Sequence, residues 1–159
     1  MAGLKNNVSV ELDDLDIKIL CMLLEDSRLS FHKIAKRLKV SVGTVQKRAG
    51  DLENRGFLKG YTAILDPVKL GYTMTTVIFV QTEGGHHDYV ENLVAKAVNV
   101  ISMYEITGDF DLVIIAKFKE NSDLISFIKQ LLLTRFVRRT ATDIALNIMK
   151  EDDSSLVIG

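Results

Sequence analysis

Residues Ser30–Tyr61 read SFHKIAKRLKVSVGTVQKRAGDLENRGFLKGY. Phe31, Ile34, Ala35 and Leu38 recur at the i, i+3, i+4, i+7 spacing that places all four on one face of a helix. Ser30 precedes them as an N-cap. The segment Lys39 to Ser41 is too short for anything but a tight corner, so a second helix must begin at once. Ser41 caps it, and Val42, Val45, Ala49 and Leu52 form its buried stripe. Arg55 in the last turn and Gly56 just beyond supply the stop signal. Two short amphipathic helices joined this way are the layout of a helix-turn-helix.

Charge supports that reading. From Ser27 to Tyr61 nine basic residues stand against two acidic ones, whereas the whole chain carries 20 basic and 21 acidic residues. The positive charge is therefore concentrated, as expected of a surface that meets phosphates. Taken alone, such a run more often solvates an outer helix face. Joined to the two-helix geometry, phosphate contact becomes the better account.

Outward positions near the start of the second helix are Gly43, Thr44, Gln46 and Lys47, the candidates for base contact. Gln suits adenine, Lys suits guanine, and Thr can hydrogen-bond or touch a thymine methyl group. Lys33, Ser41 and Arg48 are candidates for phosphate. For Arg48 an equal alternative is a structural salt bridge to an acid in the chain's first helix, upstream of this pair. Gly43 and Gly50 each weaken the helix by about 1 kcal/mol relative to Ala. Gly43 also permits close approach to a duplex.

Working outward, Asp13, Asp14 and Asp16 crowd the positive end of a helix carrying Leu15, Ile19 and Leu23. This is the third helix of a small bundle, needed because two helices cannot bury enough surface alone. Phe57 to Ile64 alternates partly, as a short strand or wing would. Asp66-Pro67 and Gly71 then mark a break. The expected organisation is a winged helix-turn-helix domain over 1–62, a linker over 63–73, a second domain over 74–150 and a tail over 151–159. That tail begins with Glu151, Asp152 and Asp153 and reads as a solvated terminus.

The second domain reads β-α-β-β-α-β: strand Met74–Thr82, helix His87–Ala97, strand Ile101–Thr107, strand Asp111–Lys119, helix Ser122–Leu133 and strand Arg139–Met149. That order specifies a ferredoxin-like layer of two helices on a four-stranded antiparallel sheet, making the whole chain α+β. Ser122 with Asp123 is the expected helix opening, and Asn99 the expected left-handed turn residue. Val77 to Val80 and Leu112 to Ala116 are apolar without alternation, so both sheet faces want to be dry. Helices cover one; a second subunit is the expected cover of the other, making a homodimer at least. A two-fold dimer also places two reading helices about one duplex turn apart on a pseudo-palindromic double-stranded DNA site.

The 159 residues, 47% of them apolar, hold one ordinary domain or two small ones. The longest apolar run, Ile19 to Leu24, is far short of a membrane span, and no hydrophobic signal core opens the chain. A cytoplasmic protein without a membrane partner is expected. The single Cys21 lies in that run and is expected to be a buried thiol without a role. His86-His87 has no third ligand nearby in sequence, so no metal is expected. No phosphate-binding loop, nucleophile elbow or other catalytic motif is present, and no cofactor is expected.

These residues together resemble the Lrp/AsnC family of bacterial and archaeal transcription regulators over about the whole chain. The carriers are Leu12-Asp13 with Asp16, Ile19-Leu20 and Leu23; Asp26 with Arg28 and Ser30; Ile34-Ala35 and Leu38; Ser41, Thr44-Val45 and Arg48; Leu52 with Gly56; Gly60-Tyr61; Leu65-Asp66-Pro67 with Leu70-Gly71; and Thr107-Gly108-Asp109-Phe110-Asp111. The chain departs from the family where Ala49 replaces a bulkier apolar residue and where Val98-Asn99 replaces a Pro-Gly pair. The resemblance implies a C-terminal module, called RAM, that assembles dimers and often tetramers or octamers, and in many members binds a free amino acid between subunits.

The loop Thr107–Asp111 has two readings. As structure it is a hairpin turn. As a site, Asp109 or Asp111 would take an amino acid's ammonium group and the Gly108 turn its carboxylate. The resemblance favours an effector-facing loop, with Tyr104, Thr140 and Thr142 as neighbours. The alternative function is an amino-acid-binding accessory subunit of a metabolic enzyme, which unlike the regulator would not bind duplex DNA with steep salt dependence.

Overall fold

The Asp13 carboxylate accepts the backbone N–H groups of Leu15 and Asp16 and so opens α1 (Asp14–Glu25). Ser30 caps α2 (Phe31–Leu38) and Ser41 caps α3 (Val42–Asn54) in the same way. In the computed structural model, which describes residues 12–151, the chain divides into two compact units, one running through Ile64 and the other spanning Leu65–Glu151.

The first unit is a three-helix core. Ile19, Leu20 and Leu23 of α1 meet Ile34 and Ala35 of α2 and Val45 and Leu52 of α3, all buried, and Ala49 of α3 is buried as well. The corner between α2 and α3 turns on Lys39, which sits in the left-handed region at φ 56° and ψ 41°. After α3, Gly56 adopts φ 76° as a helix-ending residue. Residues 57–64 form no strand; Phe57 and Leu58 instead pack on the helical core. Cys21 is exposed, contrary to expectation. An apolar run spans both faces of a helix, and with Ile19 and Leu23 turned inward, residue 21 faces out.

The second unit contains β1 (Met74–Thr82), α4 (Asp88–Val94), β2 (Val100–Glu105), β3 (Leu112–Phe118), α5 (Asn121–Leu133) and β4 (Val137–Ile144). Strand order is β2-β3-β1-β4 with every pairing antiparallel, the ferredoxin-like arrangement. Ile78 and Val80 of β1, with Leu112, Ile114, Ala116 and Phe118 of β3, point under Val90, Leu124, Phe127 and Leu131 of the two helices. The opposite face carries Val77, Phe79, Val113 and Ile115, all partly exposed. Lys117 shares that open face and is nonetheless buried, its Nζ donating to Thr75 Oγ1 at 3.2 Å and to Glu151 at 2.7 Å. Glu151 is thus paired and not free in a solvated tail; Asp152 and Asp153 lie outside the described residues.

Several ends differ from expectation. The α5 N-cap is Glu120, without a side-chain cap bond, and Ser122 spends its hydroxyl on the Glu120 carboxylate. Asn99 is not left-handed; the non-glycine residues that are, among those described, are Lys39 and Phe136 at φ 68°. Strand β4 ends at Ile144, and α4 starts one residue later than expected because His87 is its N-cap.

Candidate nucleic-acid interface and effector loop

On α3 the buried residues Val45, Ala49 and Leu52 leave Gly43, Gln46 and Lys47 exposed together near the helix start. Thr44 is half-buried, and its hydroxyl lies 2.8 Å from Ser41 Oγ, which also accepts the Thr44 N–H at 3.0 Å. Ser41 therefore acts as a cap and Thr44 is held against it. Lys33 is exposed in the first turn of α2, and Lys36, Arg37 and Lys39 extend the basic surface to the corner. Lys39 is exposed at that corner in the left-handed conformation that the tight turn requires.

Arg48 has the partners that the structural reading calls for. Its NH1 lies 2.6 Å from Asp13 Oδ2 and 3.1 Å from Asp16 Oδ1, tying α3 to α1. The Asp16 N–H, and then Arg48, hold the Asp13 carboxyl below its ordinary range. Asp16 is buried, and Arg55 NH1 approaches its other oxygen at 3.9 Å.

In the second unit the Thr107–Asp111 loop joins β2 to β3. Asp111 is a loop anchor: Oδ2 accepts the Thr82 N–H at 2.6 Å and faces the Thr82 hydroxyl at 3.2 Å. Gly108 takes φ 120°. Asp109 is exposed; its carbonyl accepts from Gln81 Nε2, and its carboxylate has no hydrogen bond or ion pair with any described residue. Phe110 packs on Phe79, with the Arg139 guanidinium 4.7 Å from its ring centre.

The remaining candidates do not converge within one chain. Tyr104 pairs with Val113 on the open face at the β2 edge. Thr140 and Thr142 pair with Val80 and Ile78, which places them on the helix-covered face at the β4 edge. His86 stacks on Phe136, and His87 Nδ1 lies 3.8 Å from Glu105, while no cluster among the described residues could hold a metal ion. No helix among the described residues is long and apolar enough to cross a membrane.

A capped helix-turn-helix with an exposed basic face, followed by a separate ferredoxin-like unit, is the architecture of a DNA-binding protein with an appended second module. Residues 12–59 match the winged helix-turn-helix DNA-binding family and residues 75–155 the Lrp/AsnC ligand binding domain. The chain belongs to the Lrp/AsnC family. It is 43% identical to an uncharacterized HTH-type transcriptional regulator of Pyrococcus furiosus, over 90% of this chain and 97% of that one. It is similar in structure to a Neisseria meningitidis transcriptional regulator solved as a complex with L-Met, with a TM-score of 0.81, 27% identity and coverage of 90% and 95% of the two chains. An AsnC family regulator of Agrobacterium tumefaciens gives a TM-score of 0.80 at 25% identity, covering 89% and 95%. These relatives are named as transcriptional regulators.

Proposed function

We propose that the chain works in the cytoplasm as a homodimeric regulator that reads a pseudo-palindromic operator and responds to a free amino acid. The observation that carries the DNA reading is the exposed start of α3, where Gly43, Gln46 and Lys47 stand clear of the core. Gln46 supplies a donor and an acceptor for an adenine edge and Lys47 a donor for a guanine edge, Thr44 a hydroxyl braced by Ser41, and Gly43 room for the backbone to approach. Lys33 and Ser41 grip phosphate from the flank.

The dimer forms through the open sheet face, whose Val77, Phe79, Val113 and Ile115 cannot all stay dry in a monomer. Dimers assemble further into tetramers or octamers. The effector's ammonium group meets Asp109, the carboxylate left unpaired in the loop, while Asp111 holds the loop and Gly108 lends its backbone N–H. Tyr104, Thr140 and Thr142, split between two edges of one sheet, reach a shared site only if different subunits contribute them. The L-Met held by the Neisseria meningitidis relative supports an amino-acid effector.

Selection of bound sequences from a random duplex pool tests the DNA reading. A recovered palindrome and a steep fall in affinity with salt are expected. Absent or salt-insensitive binding favours the accessory-subunit alternative. Calorimetry across the twenty amino acids tests the effector: one or a few should bind, and Asp109→Ala should abolish the heat. No heat for any would remove the effector while leaving DNA reading in place.

A further inference from the structure

We infer that Arg48, together with Asp13 and Asp16, is a positioning device that sets the orientation of the recognition helix, and that it acts on operator specificity without touching phosphate. The inference rests on the proposed DNA reading.

Three observations carry it. First, the ion pair is directional and doubly anchored: one guanidinium nitrogen lies 2.6 Å from Asp13 Oδ2 and 3.1 Å from Asp16 Oδ1. Asp13 divides its oxygens, with Oδ1 capping α1 and Oδ2 taking Arg48, so the pair grips a point already fixed by the end of another helix. Asp16 is 3% exposed, so its carboxylate has little water to turn to if Arg48 leaves.

Second, α3 needs such an anchor. It carries Gly43 and Gly50, which loosen the helix on either side of Arg48. Its buried stripe is Val45, Ala49 and Leu52, and of these Ala49 offers only a methyl group. Apolar packing has no preferred direction, whereas a hydrogen-bonded ion pair does. Arg48 therefore adds a directional restraint on rotation of α3 to the packing of Val45 and Leu52 and to the longer Arg55–Asp16 approach of 3.9 Å.

Third, Arg48 directly follows Gln46 and Lys47, whose side chains are exposed. Base recognition needs donors placed to a fraction of an ångström, while phosphate attraction tolerates sloppier placement. A loosened α3 should lose discrimination before it loses affinity for DNA in general.

The experiment compares the full chain with Asp16→Asn, Arg48→Gln and Asp13→Asn on the selected operator and on random duplex, each over a range of salt. Asp13→Asn keeps an N-cap and removes the Asp13 half of the ion pair while leaving Arg48–Asp16, so it reports even if a change at buried Asp16 prevents folding. The expected result is a loss of about tenfold on the operator, little loss on random duplex and an unchanged salt slope. Arg48→Lys, which keeps charge but lacks the planar fork, should recover only part of the operator affinity. Equal losses on both DNAs with a slope shallower by about 0.9 would make Arg48 a phosphate contact and overturn the inference. A lowered urea midpoint with an unchanged operator-to-random ratio would make the cluster merely structural and also overturn it. Failure of the unaltered chain to bind duplex at all would instead overturn the DNA reading on which this rests.

Discussion

Gly50→Ala isolates the weakness of the recognition helix. A Cβ built at Gly50 meets nothing within 4 Å, and the residue is half-buried in the interior of α3. With no clash to offset it, the gain is the intrinsic difference between Gly and Ala in a helix interior, about 0.8–1 kcal/mol. For a small domain this corresponds to a rise in Tm of roughly 4–8 °C. Urea unfolding followed by the helical circular dichroism signal measures it, with the midpoint expected to move up by somewhat under about 1 M. Gly43→Ala is the paired control: its Cβ meets only Ser41 Oγ, at an ordinary 3.9 Å. It sits in the first, exposed turn, where a methyl group would stand between helix and duplex. Gly43→Ala should be neutral to mildly stabilising and should weaken operator binding, whereas Gly50→Ala should leave binding unchanged or tighten it. A lower midpoint for Gly50→Ala would refute the claim that this position is open, and undiminished operator binding by Gly43→Ala would refute close approach there.

The Asp13 carboxyl is held below its ordinary 3.8, first by the Asp16 N–H and then by Arg48, so its contribution is present above that value and lost as pH falls through the lowered one. Acid unfolding of Asp13→Asn should consequently be flatter below about pH 4 than that of the parent, and parallel acid limbs would count against the pair. Lys39→Gly relieves a left-handed side chain at φ 56° while loosening the unfolded chain, for a net gain of about 0.5–1 kcal/mol in chemical denaturation; a net loss would contradict the strain. At Phe136, φ 68° is strained, but the ring stacks 4.1 Å from His86 and lies 4.6 Å from the Arg135 guanidinium. Phe136→Ala keeps the strain and loses the stack, so it should be less stable than Phe136→Gly by about 1 kcal/mol, and the reverse order would show the backbone to be relaxed.

Much of this protein is written in short-range pattern. Ser30, Ser41 and the stripes behind them specify two helices and the corner between them, because caps and the 3.6-residue period act within a few residues. The strand and helix order of the second unit was legible for the same reason, and β1 begins and ends where its composition changes. What local pattern misplaced were ends and exposures. Ser122 looked a better cap than Glu120, and Cys21 looked buried, because neither the partner of a hydroxyl nor the face of a helix that meets the core is local information.

Tertiary structure decided the roles of individual charged and polar residues. Arg48 was balanced between phosphate and salt bridge until α1 was brought against α3, 32 residues away, and two carboxylates took its guanidinium. Asp109 and Asp111 were equivalent acids in a turn until strand pairing delivered Thr82 to Asp111 and left Asp109 unpaired. Thr140 and Thr142 went to the helix-covered face, and Tyr104 to the open one, by register alone, since a one-residue shift reverses every side chain of a strand. The sequence by itself determined the elements, their order and the basic surface, because those depend on neighbours along the chain. Which charge is spent on holding the fold and which remains for a ligand was decided only by contacts between distant segments, where geometry and desolvation act together.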